Sequence, residues 1–332
     1  MKALVYTGPE ALQIQDVPEP QVSSGDLLVR ILAVGICGSD MHAYLGHDER
    51  RPAPLILGHE AAGIVVGGPG DGRRVTINPL VTCGVCPACI GGRANLCPTR
   101  QIISMPPREG AFAEYVAIPE RNVVTVPDDV SWTAAALAEP VACGWHAVGL
   151  AERALAAPLA AARCLVLGGG AIGMGAAQVL AARGAREIWI ADTNADRRGV
   201  LERAGEFRVF DPGDPVAGPE AGGCDLVVDA AGFEATRAAS TRAVTPGGVV
   251  VHIGLGSAAG GLDVRRMTLQ EITFIGTYTY TPTDFRDTAA ALFEGRLGAL
   301  DWVEERPLGD GPAAFGDIHG GRVAAPKIIL RP

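Results

Sequence analysis

Apolar and polar residues alternate with a period of two in several short stretches of the first third of the chain: KALVY, LLVRILAVG, AAGIVV, RRVTI, AEYVAI and NVVTVP. Each is bounded by Gly or Pro turns, which predicts strands with one buried face. Residues from Met1 to about Ala138 are therefore expected to form a β-rich, partly barrel-like domain. From about Glu139 the texture changes to Ala-rich helical stretches and then to apolar runs alternating with helical ones. RCLVLG is followed by AIGMGAAQVLAARG, and REIWIAD by ADRRGVLERAG. DLVVDAAG, GGVVVHIG and EITFIGTY continue as buried strands. Parallel strands need crossover connections, so this alternation predicts a doubly wound parallel sheet and an α/β protein. The tail adds a helical DFRDTAAALFEG and a strand-like KIILRP.

Composition narrows the picture. A chain of 332 residues suits two domains better than one. Its 48% hydrophobic content, 20% charged content and 44 glycines fit buried strands and tight turns rather than disorder. A net charge of −9 gives no footprint for nucleic acid or for an anionic membrane. A small neutral or polar ligand is the expected partner. Lys2 and Lys327 are the only lysines, a bias that carries no functional expectation. The amino terminus alternates like a strand and lacks the apolar core of a signal peptide, so the cytoplasm is the expected compartment. The uncharged run from Cys164 to Ala182 is long enough to suggest a membrane span. Its internal glycines mark a strand-turn-helix instead.

In LVLGGGAIGMGAA, Gly168, Gly170 and Gly173 have GxGxxG spacing between an apolar strand and a helix, with Ile172 in the same turn. That context lets backbone approach a pyrophosphate resting on the helix N-terminus. The next strand ends at Asp192, where an acidic residue hydrogen-bonds the adenosine ribose and repels a 2′-phosphate, which favours NAD. Arg197 and Arg198 keep an NADP reading open.

Cys83, Cys86, Cys89 and Cys97 lie close together in CGVCPACIGGRANLC. Clustered cysteines in a reducing compartment point to metal rather than disulfides. Four thiolates close a tetrahedron around Zn2+ and leave no open position, as in a structural site, with an iron–sulfur cluster as the alternative. Cys164 and Cys224 lie in or beside strands and are expected in the core. A second constellation combines Cys37, Ser39, Asp40 and His42 of GICGSDMH with His59 and Glu60 of GHE. A thiolate, an imidazole and a carboxylate from separate loops make an open zinc site. Glu139, in AEP, is placed to close it from the cleft. Cys143 is the competing candidate four residues later.

In their order, GICGSDMH, GHE, the four-cysteine lobe and the glycine motif resemble the medium-chain zinc-dependent alcohol/polyol dehydrogenases over nearly the whole chain. GHE with AEP is similar to the sorbitol and threonine dehydrogenase branch. The resemblance implies a GroES-like catalytic domain from residues 1–140 and 280–332 around a Rossmann domain at 141–279. It implies Cys37, His59 and Glu60 as ligands of a catalytic zinc, with Glu139 as fourth ligand or partner of its water. Ser39 and His42 fall at relay positions, and Asp40 where a residue orients the histidine ligand. Dimers or tetramers are usual in the family. Sorbitol dehydrogenases carry an arginine near the end of the last Rossmann strand, whereas this chain reads GTYTYTPTDF, which puts sorbitol itself in doubt. Tyr278, Thr279 and Tyr280 either line a differently shaped pocket or pack a domain junction.

The expected reaction is oxidation of a secondary alcohol or polyol to a ketone with NAD. A threonine-type amino alcohol dehydrogenase, a zinc-free quinone or enoyl reductase and a non-enzymatic NAD-binding protein are the alternatives.

Overall fold

The computed structural model describes residues 1–68, 70–214 and 216–332. The alternating stretches form the strands expected of them. Along Asp26–Gly35 the side chains of Leu27, Val29, Ile31 and Ala33 are buried while Arg30 faces out. This strand is central to a seven-stranded sheet in the order Val123–Thr125, Arg74–Ile77, Glu60–Val65, Asp26–Gly35, Lys327–Arg331 and Val303–Pro307. Tyr115–Pro119 pairs with its first half, Leu27 opposite Ile118 and Val29 opposite Val116. Lys2–Gly8 joins Ala11–Asp16 and Leu55–Ile56 in a smaller sheet.

Register matters here for the site. Gly35 lies opposite Glu60 on one side and Ile329 on the other. The last strand of the chain therefore runs beside the segment that leads into Cys37.

The second layered unit is a six-stranded parallel sheet in the order Arg208–Phe210, Glu187–Ala191, Arg163–Leu167, Cys224–Asp229, Val244–His252 and Thr273–Gly276. The strand order reverses at Arg163–Leu167, and ligands of such sheets bind in the crevice beyond the strand ends at that point. The uncharged run divides there into the strand Arg163–Leu167 and the helix Ala171–Ala182. No described helix is long and apolar enough to cross a membrane. The expected boundary at residue 140 falls inside the helix Ala138–Ala154, which packs along Ala171–Ala182. One continuous helix thus starts at the mixed sheet and runs over the parallel one. Some elements lack the expected signal. Leu55–Ile56 is too short to alternate, and Glu234–Ala243, EATRAASTRA, carries almost no large apolar residue.

Candidate active site

The strand Asp26–Gly35 ends and the chain turns through Ile36 into the helix Gly38–Tyr44, whose N-cap is Cys37. Asp40, fully buried, accepts from Cys37 N at 3.0 Å and from Gly58 N at 3.2 Å. One carboxylate so ties the Cys37 turn to the loop carrying His59. Its Oδ1 also lies 3.4 Å from His59 Nδ1, and Ser104 Oγ lies 3.3 Å from the same nitrogen. With Nδ1 engaged, Nε2 is left to face the site, where Ser39 Oγ approaches to 3.5 Å. The Cys37 sulfur, a His59 nitrogen and a Glu60 oxygen all lie within 4.8 Å of one another. His42 is half-buried on the same short helix, and its ring has no hydrogen-bond partner among the described residues.

Burial opposes a positive charge on His59, yet Asp40 and then Cys37 outweigh it and hold the imidazole well above its ordinary pKa. The pocket is built to attract a cation. Glu60 Oε1 accepts from Lys327 Nζ at 2.7 Å, whereas its Oε2 is buried with no hydrogen-bond partner. Lys327 also donates to Ile36 O at 2.6 Å. Gly35 makes room for this carboxylate, since a Cβ there would stand 1.9 Å from Oε2. A partnerless buried carboxylate oxygen beside a thiol and an imidazole nitrogen is a donor set that fits zinc. Lys327 and Ser104 were not anticipated from sequence, because neither belongs to a motif.

Glu139 starts the helix Ala138–Ala154 and is 5% exposed. It is not among the mutually close donor atoms. Its Oε1 accepts from Tyr280 OH at 2.6 Å, so Tyr280 is a buried partner of the site. Burial, joined by the charge of Glu60, pushes the Glu139 carboxyl up to about 7. Cys143, one turn along, is raised well above the ordinary thiol value by burial and then by Glu139, Cys37 and Glu60. It stays a neutral thiol.

Cys83, Cys86, Cys89 and Cys97 also bring their sulfurs within 4.8 Å of one another. Cys86 N donates to Cys83 Sγ at 3.4 Å, and Cys97 Sγ lies 3.6 Å from Cys83 Sγ. Four mutually close sulfurs, with no other donor needed, fit a closed tetrahedral zinc. Cys164 and Cys224 are buried in strands, apart from both groups.

The glycine motif lies at the crevice of the parallel sheet. Gly170 caps the helix Ala171–Ala182, and a Cβ there would meet nothing within 4 Å. Gly173 has no such freedom, as its Cβ would stand 1.8 Å from Gly168 O. Asp192 follows the strand Glu187–Ala191 and accepts from Gly169 N and Asn194 N, each at 2.8 Å, with Arg197 Nη1 at 3.8 Å. A cavity of about 660 Å³ runs from Asp192 and Arg197, past Gly168, Gly170, Ile172 and Gly173, to Cys37, Glu60 and Lys327. A cradle of bare backbone at a helix N-terminus, open into a long cavity, fits a dinucleotide.

Residues 23–128 match the alcohol dehydrogenase GroES-like domain family and residues 171–294 the zinc-binding dehydrogenase family. The chain is 33% identical to the L-galactonate-5-dehydrogenase of Escherichia coli K12 over 90% of its length and 89% of the relative's. It is 32% identical to the sorbitol dehydrogenase of Bacillus subtilis, covering 85% of this chain and 83% of that one. A zinc-binding dehydrogenase from Sinorhizobium meliloti, solved with NADP, superposes with a TM-score of 0.87 at 30% identity, covering 100% of this chain and 99% of the other. With both donor sets and the dinucleotide turn in place, this chain belongs to the zinc-dependent medium-chain alcohol/polyol dehydrogenase family.

Proposed function

We propose that this enzyme oxidises a secondary alcohol or polyol to a ketone with NAD, using residues 1–140 and 280–332 as the catalytic unit and 141–279 as the nucleotide unit. The observation that carries the reading is the single cavity joining the glycine turn to Cys37 and Glu60. Cys37, His59 and Glu60 would hold the catalytic zinc, with Glu139 as a fourth ligand or as the partner of its water. Cys83, Cys86, Cys89 and Cys97 would hold the structural one. When bound, zinc supplies Lewis acidity toward the substrate hydroxyl and NAD supplies the hydride acceptor.

The chain's own residues do the rest. Asp40 and Ser104 fix the His59 ring, so that Nε2 rather than Nδ1 serves the site. Ser39, whose hydroxyl stands 3.5 Å from that Nε2, takes the proton of the substrate hydroxyl. His42, three residues on, passes it outward. Tyr280 holds the Glu139 carboxyl in place. Asp192 selects NAD because its carboxylate faces the ribose end of the cavity and repels a 2′-phosphate. Arg197 and the NADP of the Sinorhizobium relative make coenzyme choice a point to measure.

The enzyme works in the cytoplasm, whose thiol poise keeps the cysteine lobe reduced, and as a homodimer or homotetramer. Light scattering tests the assembly. Turnover of an alcohol and polyol panel with NAD and with NADP, followed by nicotinamide absorbance, tests the function. No oxidation of any secondary alcohol by zinc-replete protein overturns it, and better turnover with NADP overturns the coenzyme assignment.

A further inference from the structure

Just past the strand Thr273–Gly276 lie three residues of which the mechanism above uses only the last, Tyr278, Thr279 and Tyr280. Thr277 N donates to His252 O at 3.0 Å and fixes the start of this segment. The helix Pro282–Phe293, capped by Thr281, fixes its end. Between these points Thr279 has a φ of 48°, in the left-handed region that β-branched residues seldom occupy. Its Oγ1 is buried without a hydrogen-bond partner, so nothing in its own side chain offsets the cost. Strain of this kind persists only where the surroundings impose it.

The imposing contacts come from two sides. In an extended segment residues two apart share a face, yet Tyr278 and Tyr280, either side of the left-handed residue, meet different partners. Tyr278 meets the cysteine lobe. Asn95 Nδ2 donates to its backbone O at 2.8 Å, and Arg100 Nε donates to its hydroxyl at 3.3 Å. The Arg100 guanidinium also lies 4.7 Å from the centre of the Tyr278 ring, within cation–π range. Tyr280 is buried instead beside the open site, its ring stacked on Phe285 at 5.5 Å and its hydroxyl donating to Glu139 Oε1 at 2.6 Å.

Both ends of this tie are anchored. Arg100 Nη1 donates to Cys97 O at 3.0 Å, and Asn95, itself buried, lies in the short turn Ala94–Leu96 directly before Cys97. The two residues thus bracket a sulfur donor of the closed group. At the other end, Tyr280 is the one hydrogen-bond partner of the Glu139 carboxylate among the described residues. Direct contacts therefore run from Cys97 through Arg100 to Tyr278 and, across one strained residue, from Tyr280 to Glu139.

We propose that Arg100 and Asn95 are positioning residues for the reaction. By holding Tyr278 they keep Thr279 in its left-handed turn, and so keep the Tyr280 hydroxyl where it fixes Glu139. The proposal rests on the dehydrogenase reading above, in which Glu139 serves the open site. The cysteine lobe then has two tasks, to close around its own metal and to brace a carboxylate of the other group. The cavity that runs to the glycine turn is lined by none of these residues, so a loosened brace leaves coenzyme binding as it was.

The test is a double-variant cycle, read by kinetics and by hydrogen exchange in protein purified with its zinc. With NAD and the best alcohol of the panel above, Arg100→Ala should lower kcat about tenfold and leave the KM for NAD unchanged. In a Tyr280→Phe background the same change should add less than about twofold, because the hydroxyl it positions is gone. Exchange at the amides of Thr277 and Thr281, bonded to His252 O and to the Asp284 carboxylate, should quicken in Arg100→Ala while the strand Arg163–Leu167 stays protected. Where metal analysis finds the lobe emptied by Arg100→Ala, Tyr278→Leu takes its place in the cycle, removing the handhold from the other side with the lobe's own residues intact. An equal loss of kcat with and without the Tyr280 hydroxyl overturns the proposal, as does a variant with wild-type kcat or wild-type exchange. A wild type that oxidises no alcohol overturns the dehydrogenase reading instead, and the exchange measurement still judges the tie.

Discussion

The two zinc-binding groups of side chains are built in opposite ways. The cysteine lobe draws all four donors from one loop of fifteen residues, Cys83 to Cys97, offers sulfur alone, and carries exposed residues such as Val85 and Ile90. The other group mixes sulfur, nitrogen and oxygen, and collects Cys37, His59 and Glu60 with supports as distant as Ser104, Tyr280 and Lys327. A closed site needs only ligands. An open one must also hold unused capacity in place, such as the partnerless oxygen of Glu60, and that takes counter-charges and hydrogen bonds from several elements.

This contrast is sharpest when one site is damaged alone. Cys37→Ser should lower kcat by about 10³-fold or more, since several kcal/mol of electrophilic assistance go with the metal. Metal analysis should find the lobe still loaded. Loss of both ions together would break the separation drawn between the sites.

Lys327→Met removes the counter-charge of a fully buried carboxylate, which costs about 3 kcal/mol in the metal-free protein. Chemical denaturation of the zinc-stripped variant against wild type measures it. A change no larger than that of a surface Lys2→Met control would show that the pair is not a support.

Glu139→Ala should cost about a hundredfold in kcat, whereas Cys143→Ala should stay within about threefold, because the thiol remains protonated beside Glu139. The reverse ranking, with zinc lost on replacing Cys143, would make the open site resemble the lobe in its reliance on sulfur.

The smallest effect concerns the scaffold of the Tyr280 segment. Burial works against the Asp284 charge, but His146 and Thr281 hold its carboxyl down at about 2, against an ordinary 3.8. Because the folded value is depressed, the stabilisation is present above pH about 4 and fades as pH falls through about 2. It amounts to about 2 kcal/mol, and Asp284→Asn should remove it near neutrality while matching wild type at the acid end. A constant difference across that range would assign the effect to packing instead.

The lobe was legible in the sequence because its spacing is its geometry. So was the GICGSDMH and GHE set, where chemistry is concentrated in two short segments. The glycine turn was legible because a strand, a turn and a helix follow each other directly. Lys327 was not. Two lysines in the chain read as a bias, yet one of them pairs with Glu60, 267 residues away in sequence. Only strand register puts it there, and register between distant strands leaves no local pattern. Ser104 and the Tyr280–Glu139 bond were hidden for the same reason, at separations of 45 and 141 residues. The bonds of Asn95 and Arg100 to Tyr278 were equally invisible, at separations of 183 and 178 residues.

The return of the strand Lys327–Arg331 to the side of Asp26–Gly35 also imposes an order in time. Synthesis runs from the amino end, and domains form as their parts emerge. The lobe is complete once Cys97 has left the ribosome, so it can capture metal on the growing chain. The pocket at Glu60 lacks its cation until Lys327 has been made. The open group thus gains its lysine only after all seven zinc donors of the two groups have emerged.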